Sequence, residues 1–284
     1  MKNLNKITLA LALTGSIATG VANAASVSLA NGIAILEDDN KEYVLDRNGN
    51  IKTSGNLVVG DRLRAIVSIT KSIDSANNVI QNLSGSNTTE LTAISEIEIS
   101  SIVGNNFTFK ASDEFEAVYG LGAMAAFFVD SPVDLGMNCA TVALCEAAAT
   151  NGSSWLTVGL QDADDFWVAT GLLPGGGATS ISTVKGFAAT TKVAVANYAL
   201  SILSNNTGYT FGKQLSALSP FLTVGGDGKT DLIGSGDVLG GAGLTSPFFA
   251  RSDFDFQLNR VPEPATLALF GMGLVGLGFR RKSA

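Results

Sequence analysis

The feature that most constrains this chain is a hydrophobic alternation of period two, repeated in segments too short and too interrupted for long helices. In residues 61–70 (DRLRAIVSIT), Leu63, Ala65, Val67 and Ile69 share one face, while Arg62, Arg64, Ser68 and Thr70 mostly share the other. A strand sends successive side chains to opposite faces, so this stretch reads as a half-buried strand. Residues 90–100 repeat the pattern, with Leu91, Ala93, Ile97 and Ile99 opposing Thr92, Glu96 and Glu98, and residues 106–111 aim Phe107 and Phe109 the same way. Further strands are predicted at residues 119–129, 155–160, 166–169, 192–203 and 253–258. Between them lie the turn signals DRNGN (46–50), SGSN (84–87), VGNN (103–106) and PGGGA (174–178). One short helix is predicted over residues 140–149. The alanine-rich residues 188–203 read as strand because of their Thr and Val content, with helix as the alternative. No repeat of solenoid period and no internal domain boundary is visible. The expectation is a mainly β body, an antiparallel β-sandwich or jelly-roll-like fold with a short helix.

Both ends read as processing signals and divide the chain into residues 1–24, 25–260 and 261–284. The first segment has a basic start (Lys2, Lys6), an apolar stretch and the small-residue site Ala22-Asn23-Ala24. That is the pattern of a secretory signal peptide cut before Ala25. The chain holds 18 basic and 25 acidic residues; setting aside Lys2, Lys6, Arg280, Arg281, Lys282 and Glu263 leaves 13 and 24, a body of net charge −11. Binding nucleic acid or anionic lipid requires clustered Lys and Arg, so this balance argues against both as partners of the body. Cys139 and Cys145 are the two cysteines. In an exported chain they read as a local disulfide, with two free buried thiols as the alternative. Histidine is absent, which removes Ser-His and Cys-His catalysis and His-based zinc sites, and no motif calls for a cofactor.

Three constellations bear on chemistry. Residues 225–243 (GGDGKTDLIGSGDVLGGAG) place Asp227, Asp231 and Asp237 among glycines, where carboxylates and carbonyls can wrap a Ca²⁺. Their spacing fits neither the EF-hand loop nor the Ca-binding nonapeptide repeat, and the plainer reading is a Gly/Asp turn region. Residues 161–167 (QDADDFW) set Asp162, Asp164 and Asp165 beside Phe166 and Trp167, with Trp155 nearby. They read either as a glycan-binding or glycosidase surface, with Glu114 as a further acid, or as a hairpin turn between strands whose tryptophans fill the core. Asn82, Asn87, Asn106, Asn151 and Asn205 open N-x-S/T triplets, read as loops, and Glu37 to Asp39 reads as a solvated turn.

The last 24 residues, VPEPATLALFGMGLVGLGFRRKSA, combine a proline-bracketed acid (Pro262, Glu263, Pro264), a glycine-rich apolar run over residues 265–279, and the basic residues Arg280, Arg281 and Lys282. Fifteen residues make a helix of about 22 Å, short against a hydrocarbon core of about 30 Å. By the positive-inside rule the basic end stays cytoplasmic and the body lies outside. The order of parts resembles the PEP-CTERM sorting signal of Gram-negative bacteria, which is recognised by an exosortase. What the resemblance implies is a transient stay in the inner membrane, processing at or near the Pro-Glu-Pro element, and delivery of the body to the cell surface or to an exopolysaccharide matrix. The stretch over residues 231–258 is similar to the closing region of PEP-CTERM surface proteins associated with flocculation. The function expected on these grounds is non-enzymatic and structural or adhesive, with exosortase and extracellular polysaccharide as partners. A secreted carboxylate-based glycan hydrolase or lyase and a Ca-stabilised adhesin are the alternatives.

Overall fold

The computed structural model describes residues 26–84, 88–136, 139–218 and 226–262. Its first half runs β1 (Gly32–Leu45), β2 (Ile51–Lys52), β3 (Arg62–Asp74), β4 (Val79–Asn82), β5 (Glu90–Val103), β6 (Asn106–Ala111), a short helix α1 (Asp113–Tyr119) and β7 (Ala123–Asp130). The second half runs α2 (Val142–Thr150), β8 (Ser153–Gly159), β9 (Phe166–Gly171), a 3-10 turn at Pro174–Thr179, and α3 (Ile181–Gly186). Then follow β10 (Lys192–Asn205), β11 (Thr210–Phe211), β12 (Gln214–Leu215), β13 (Lys229–Thr230), β14 (Leu232–Gly240) and β15 (Ala250–Val261).

The body is mainly β and antiparallel, as the alternation predicted, but its main sheet does not divide into the two facing sheets of a sandwich. Hydrogen bonding runs from β3 through β1, β15, β14, β10, β8, β7 and β5, and returns to β3. A second route replaces β8 and β7 by β9 and β6. Either circuit contains eight strands, so the sheet closes as a barrel and removes the exposed edges that an open sheet must protect. The fork arises because β5 and β10 are long enough to serve two ribbons. Residues 90–95 of β5 pair with β7 and residues 97–103 with β6, while residues 194–199 of β10 pair with β9 and residues 201–205 with β8. Near the fork the backbones approach too closely for side chains. A Cβ on Gly159 would lie 1.9 Å from the Gly122 carbonyl oxygen, and one on Gly122 would lie 2.1 Å from that of Leu160.

The inward residues fill the bore. Leu63, Ala65, Val67 and Ile69 of β3 and Leu91, Ala93, Ile97 and Ile99 of β5 all join one core, as their alternation predicted. An aromatic column completes it: Trp155, Phe127, Phe256, Tyr198 and Trp167 follow one another with ring centroids 4.6 to 6.4 Å apart. Offset and edge-on pairs of this kind add stability beyond the area they bury. Val27 and Leu29 belong to the same core beside the start of β1, and Leu57, Ile181 and Val184 belong to it beside the opposite end.

Several elements depart from the sequence reading. Residues 37–39, expected as a solvated turn, lie inside β1 at a bulge, and Asp38 is buried. Residues 232–240, expected within a turn region, form β14. The strand expected at residues 119–129 begins only at Ala123, because Ser112 caps α1 by accepting a hydrogen bond from the Phe115 amide at 3.2 Å. Three helices are present among the described residues, where one was expected.

Candidate functional site

Strand β1 alternates like its neighbours, yet its inward row carries Asp38, Asn40 and Glu42 in the middle of an apolar bore. Asp38 accepts from the Phe254 amide at 2.7 Å and from the Asn40 side-chain amide at 3.0 Å, and Glu42 accepts from the Ser252 hydroxyl at 2.5 Å. Asn40 Oδ1 is buried without a hydrogen-bond partner. It borders a void of about 50 Å³ lined by Asn40, Glu42, Ser95, Phe127, Trp167 and Phe254. No basic side chain forms an ion pair with Asp38 or Glu42 among the described residues. Burial raises the pKa of both carboxyls, opposed at Asp38 by the Phe254 amide and at Glu42 by Ser252, while Asp253, Asp255 and Asp39 push Asp38 further up.

Outside the same wall, another buried acid has a different setting. Glu96 of β5 lies between Arg62 at 3.1 Å and Arg64 at 2.6 Å, and the Ser112 hydroxyl also donates to it. Arg62 reaches Glu114 of α1 at 2.7 Å, and Arg64 reaches Glu146 of α2 at 2.8 Å. The Tyr43 hydroxyl donates to Glu146; burial and that carboxylate together raise the tyrosine's pKa. Beside this network Cys139 and Cys145 form a disulfide with Cα atoms 5.5 Å apart. Cys145 and Ala149 pack against Tyr43, Ile66 and Phe248, which seats α2 on the barrel wall.

The acidic motifs of the sequence meet without forming a metal cage. Asp164 accepts from the amides of Asp227 and Gly228 at 2.8 and 3.1 Å, which ties residues 161–167 to the turn before β13. Asp165 accepts from the amides of Gln161 and Asp162, and Asp162 pairs with Lys213 at 3.0 Å. Asp227 accepts from the Lys229 amide, Asp231 from the Ile202 amide at 3.0 Å, and Asp237 pairs with Lys192 at 2.5 Å. Asp227, Asp231 and Asp237 therefore turn to three different partners, and no group of three or more such ligands gathers among the described residues. Trp155 and Trp167 are core residues beneath the turn. Glu114 stands on α1 and pairs with Arg62, whereas Asp162 pairs with Lys213 and Asp164 holds the Asp227 and Gly228 amides.

One rim of the barrel gathers both ends of the described chain. Gly32 pairs with Arg260, and Thr210 with Val261. Arg260 donates to the Leu29 carbonyl at 2.7 Å and lies 4.2 Å from the centre of the Tyr209 ring, while the Tyr209 hydroxyl donates to the Val27 carbonyl at 3.0 Å. Gln81 holds the same segment through the Ser28 amide and the Ser26 carbonyl, and Ser72 donates to the Ser28 carbonyl. Val27 and Leu29 thereby plug the rim from which Pro262 leaves. Ala22, Ala24, Ala25, Asn87, Glu263, Pro264, Arg280, Arg281 and the apolar run over residues 265–279 lie outside the described residues. Among those described, no helix is long and apolar enough to cross a membrane.

Comparison with known proteins finds the PEP-CTERM protein-sorting motif over residues 260–282. Its first two residues, Arg260 and Val261, are the last two of β15. No curated protein and no solved structure matches the chain. The role of Arg260 in the rim was invisible to sequence reasoning, since an arginine ahead of the proline pair reads equally well as a linker.

Proposed function

We propose, for a chain whose PEP-CTERM motif marks it as an exosortase substrate exported to the cell surface, that the barrel is a non-enzymatic structural protein of a Gram-negative bacterium. It is held in, or adheres to, the extracellular polysaccharide of a biofilm or floc. The observation that carries this reading is the direct passage from the last barrel strand into the sorting motif, with Arg260 and Val261 belonging to both. A self-contained barrel, rather than a hinged or clefted body, is what the sorting step delivers. The use of Asp164 and Asp165 as acceptors for backbone amides supports a structural role over a glycosidase pair, because these carboxylates brace a turn. The acidic, Ser- and Asn-rich surface suits a hydrated matrix.

Truncation after Pro262 tests this while leaving the β11–β15 pairing intact. The expected result is a folded barrel that no longer reaches the surface, together with loss of cell aggregation. Unchanged surface display and unchanged matrix retention would remove the basis of the proposal.

A further inference from the structure

We infer that the rim carrying both chain ends is the face on which the barrel stands against the lipid bilayer while its sorting segment is in the membrane. The inference rests on the sorting reading above and adds an orientation and a contact surface to it. Among the described residues, Val261 is the last one paired in the barrel, through Thr210. Only Pro262, Glu263 and Pro264 separate it from the apolar run that begins at Ala265. Four residue steps span at most about 14 Å even when fully extended. The headgroup layer outside the hydrocarbon core is itself roughly 5 to 7 Å thick. Even a fully extended tether therefore leaves the rim no more than about 7 to 9 Å above the headgroups, and any shorter conformation seats it on them.

Three features of the rim agree with that placement. The described N-terminus leaves from the same end, locked there by Arg260 and Tyr209, so whatever precedes Ser26 starts beside the exit at Pro262. Near that end stand aliphatic side chains that the barrel leaves in solvent: Val79 is 51% exposed, Ile80 41% and Val261 40%. Beside them Lys71 pairs with Glu37, and the Asp74 carboxylate is taken up by the Ala76 and Asn78 amides of the β3–β4 turn, so no cluster of cations borders the patch among the described residues. Such a surface tolerates an interfacial position without needing a basic, lipid-seeking face. With strands of 12 to 14 residues at about 3.3 Å per residue and a tilt near 40°, the opposite end stands roughly 30 to 35 Å higher. The loops that carry Val58 and Leu172 at that end then face outward.

The test uses the full chain inserted into vesicles of phosphatidylethanolamine and phosphatidylglycerol that carry a headgroup nitroxide quencher. Single variants Val79→Cys and Ile80→Cys report on the rim, and Val58→Cys and Leu172→Cys on the far end, each labelled with an environment-sensitive fluorophore. The expected result is co-flotation with vesicles, a blue shift and loss of intensity for the rim labels, and no change for the far-end labels. Co-flotation with equal quenching at both ends, or with quenching only at the far end, overturns the orientation. Failure to co-float removes the membrane stage itself and with it the sorting reading. A flexible spacer of about 20 residues between Val261 and Pro262, with a mean span near 25 Å, should abolish rim quenching while flotation persists. Quenching that survives the spacer overturns the short-tether explanation.

Discussion

The two sides of the β1–β3–β5 wall bury acids in opposite ways. On the outside Glu96 is fully buried between two arginines and a serine. On the inside Asp38 and Glu42 are each only 6% exposed, yet they receive amide and hydroxyl hydrogen bonds and no cation. A carboxylate taken from water must be paired or must give up its charge. The outer acid follows the first course and fastens helices α1 and α2 to the barrel. The inner acids have only neutral donors, and burial pushes their pKa values up, toward the uncharged form. Equal burial therefore has unequal consequences: removing the outer acid uncovers charge, whereas neutralising an inner one relieves it.

The largest effect expected from this contrast is at Glu96. Glu96→Ala leaves the buried Arg62 and the half-buried Arg64 beside an unfilled position, and breaking a buried pair in this way costs about 3 to 5 kcal/mol. Urea unfolding would measure it, and a loss below about 1 kcal/mol would mean that the network behaves like a surface pair. Next is the clasp that seats α2 beside this network. Replacing both Cys139 and Cys145 by serine opens a loop whose ends are 6 residues apart. Chain entropy puts the loss at about 2 kcal/mol, seen as a lower melting temperature matched by reduction of the native chain.

The inner row predicts a change of the opposite sign. The folded-state pKa values of Asp38 and Glu42 lie above their unfolded values. Their contribution to stability is therefore complete below about pH 4, the unfolded carboxylate range, and is lost as pH rises through the folded values. Asp38→Asn keeps an acceptor for the Phe254 amide and cannot ionise. It should stabilise the barrel at neutral pH by about 1 kcal/mol and flatten the decline of stability with rising pH. A destabilised variant with an unchanged pH slope would show that Asp38 is ionised and compensated in the native barrel.

The same contrast explains what could be read in the sequence. Where the bore is apolar, alternation revealed both strand and face, as in Leu63 to Ile69 and Leu91 to Ile99. It failed in β1 because Asp38, Asn40 and Glu42 occupy inward positions where apolar residues are expected, so a buried segment resembled a solvated turn. It failed in β14 because its inward space belongs to neighbours. A Cβ on Gly234 would lie 2.0 Å from the Tyr198 ring, and one on Gly236 would lie 2.1 Å from Phe254. Helix α1 was legible in principle, from Ser112 followed by Asp113, Glu114 and Glu116, but its apolar residues also fitted the next strand. Barrel closure was not legible, since pairing β3 with β5 and β10 with β9 is a long-range choice that no local pattern encodes. The sorting motif was readable because it acts as a linear signal, whereas the Arg260 contacts with Leu29 and Tyr209 exist only after the fold brings the chain ends together.

The smallest effect lies on the solvent side of β15, where acids are neither sealed in nor fully paired. Asp237 stands opposite Asp253, and Glu37 opposite Asp255, placing like charges directly across the ladder. Partial burial and the neighbouring acids Asp39, Asp237 and Glu37 raise the Asp253 pKa, and Lys192 opposes them. Asp237→Asn removes one repelling charge and at the same time frees Lys192 from its 2.5 Å pair. Losing an exposed ion pair costs about 0 to 1 kcal/mol, and relieving a cross-strand repulsion returns about 0.2 to 1 kcal/mol, so net stability should stay within about 0.5 kcal/mol. The Asp253 carboxyl, followed by NMR titration, should nevertheless move down toward its ordinary value, because both consequences of the substitution favour its charged form. If it does not move, burial and the acids of β1, Asp39 and Glu37, set its pKa without Asp237, and the outer acids of β15 belong with the inner row and not with the ion-paired surface.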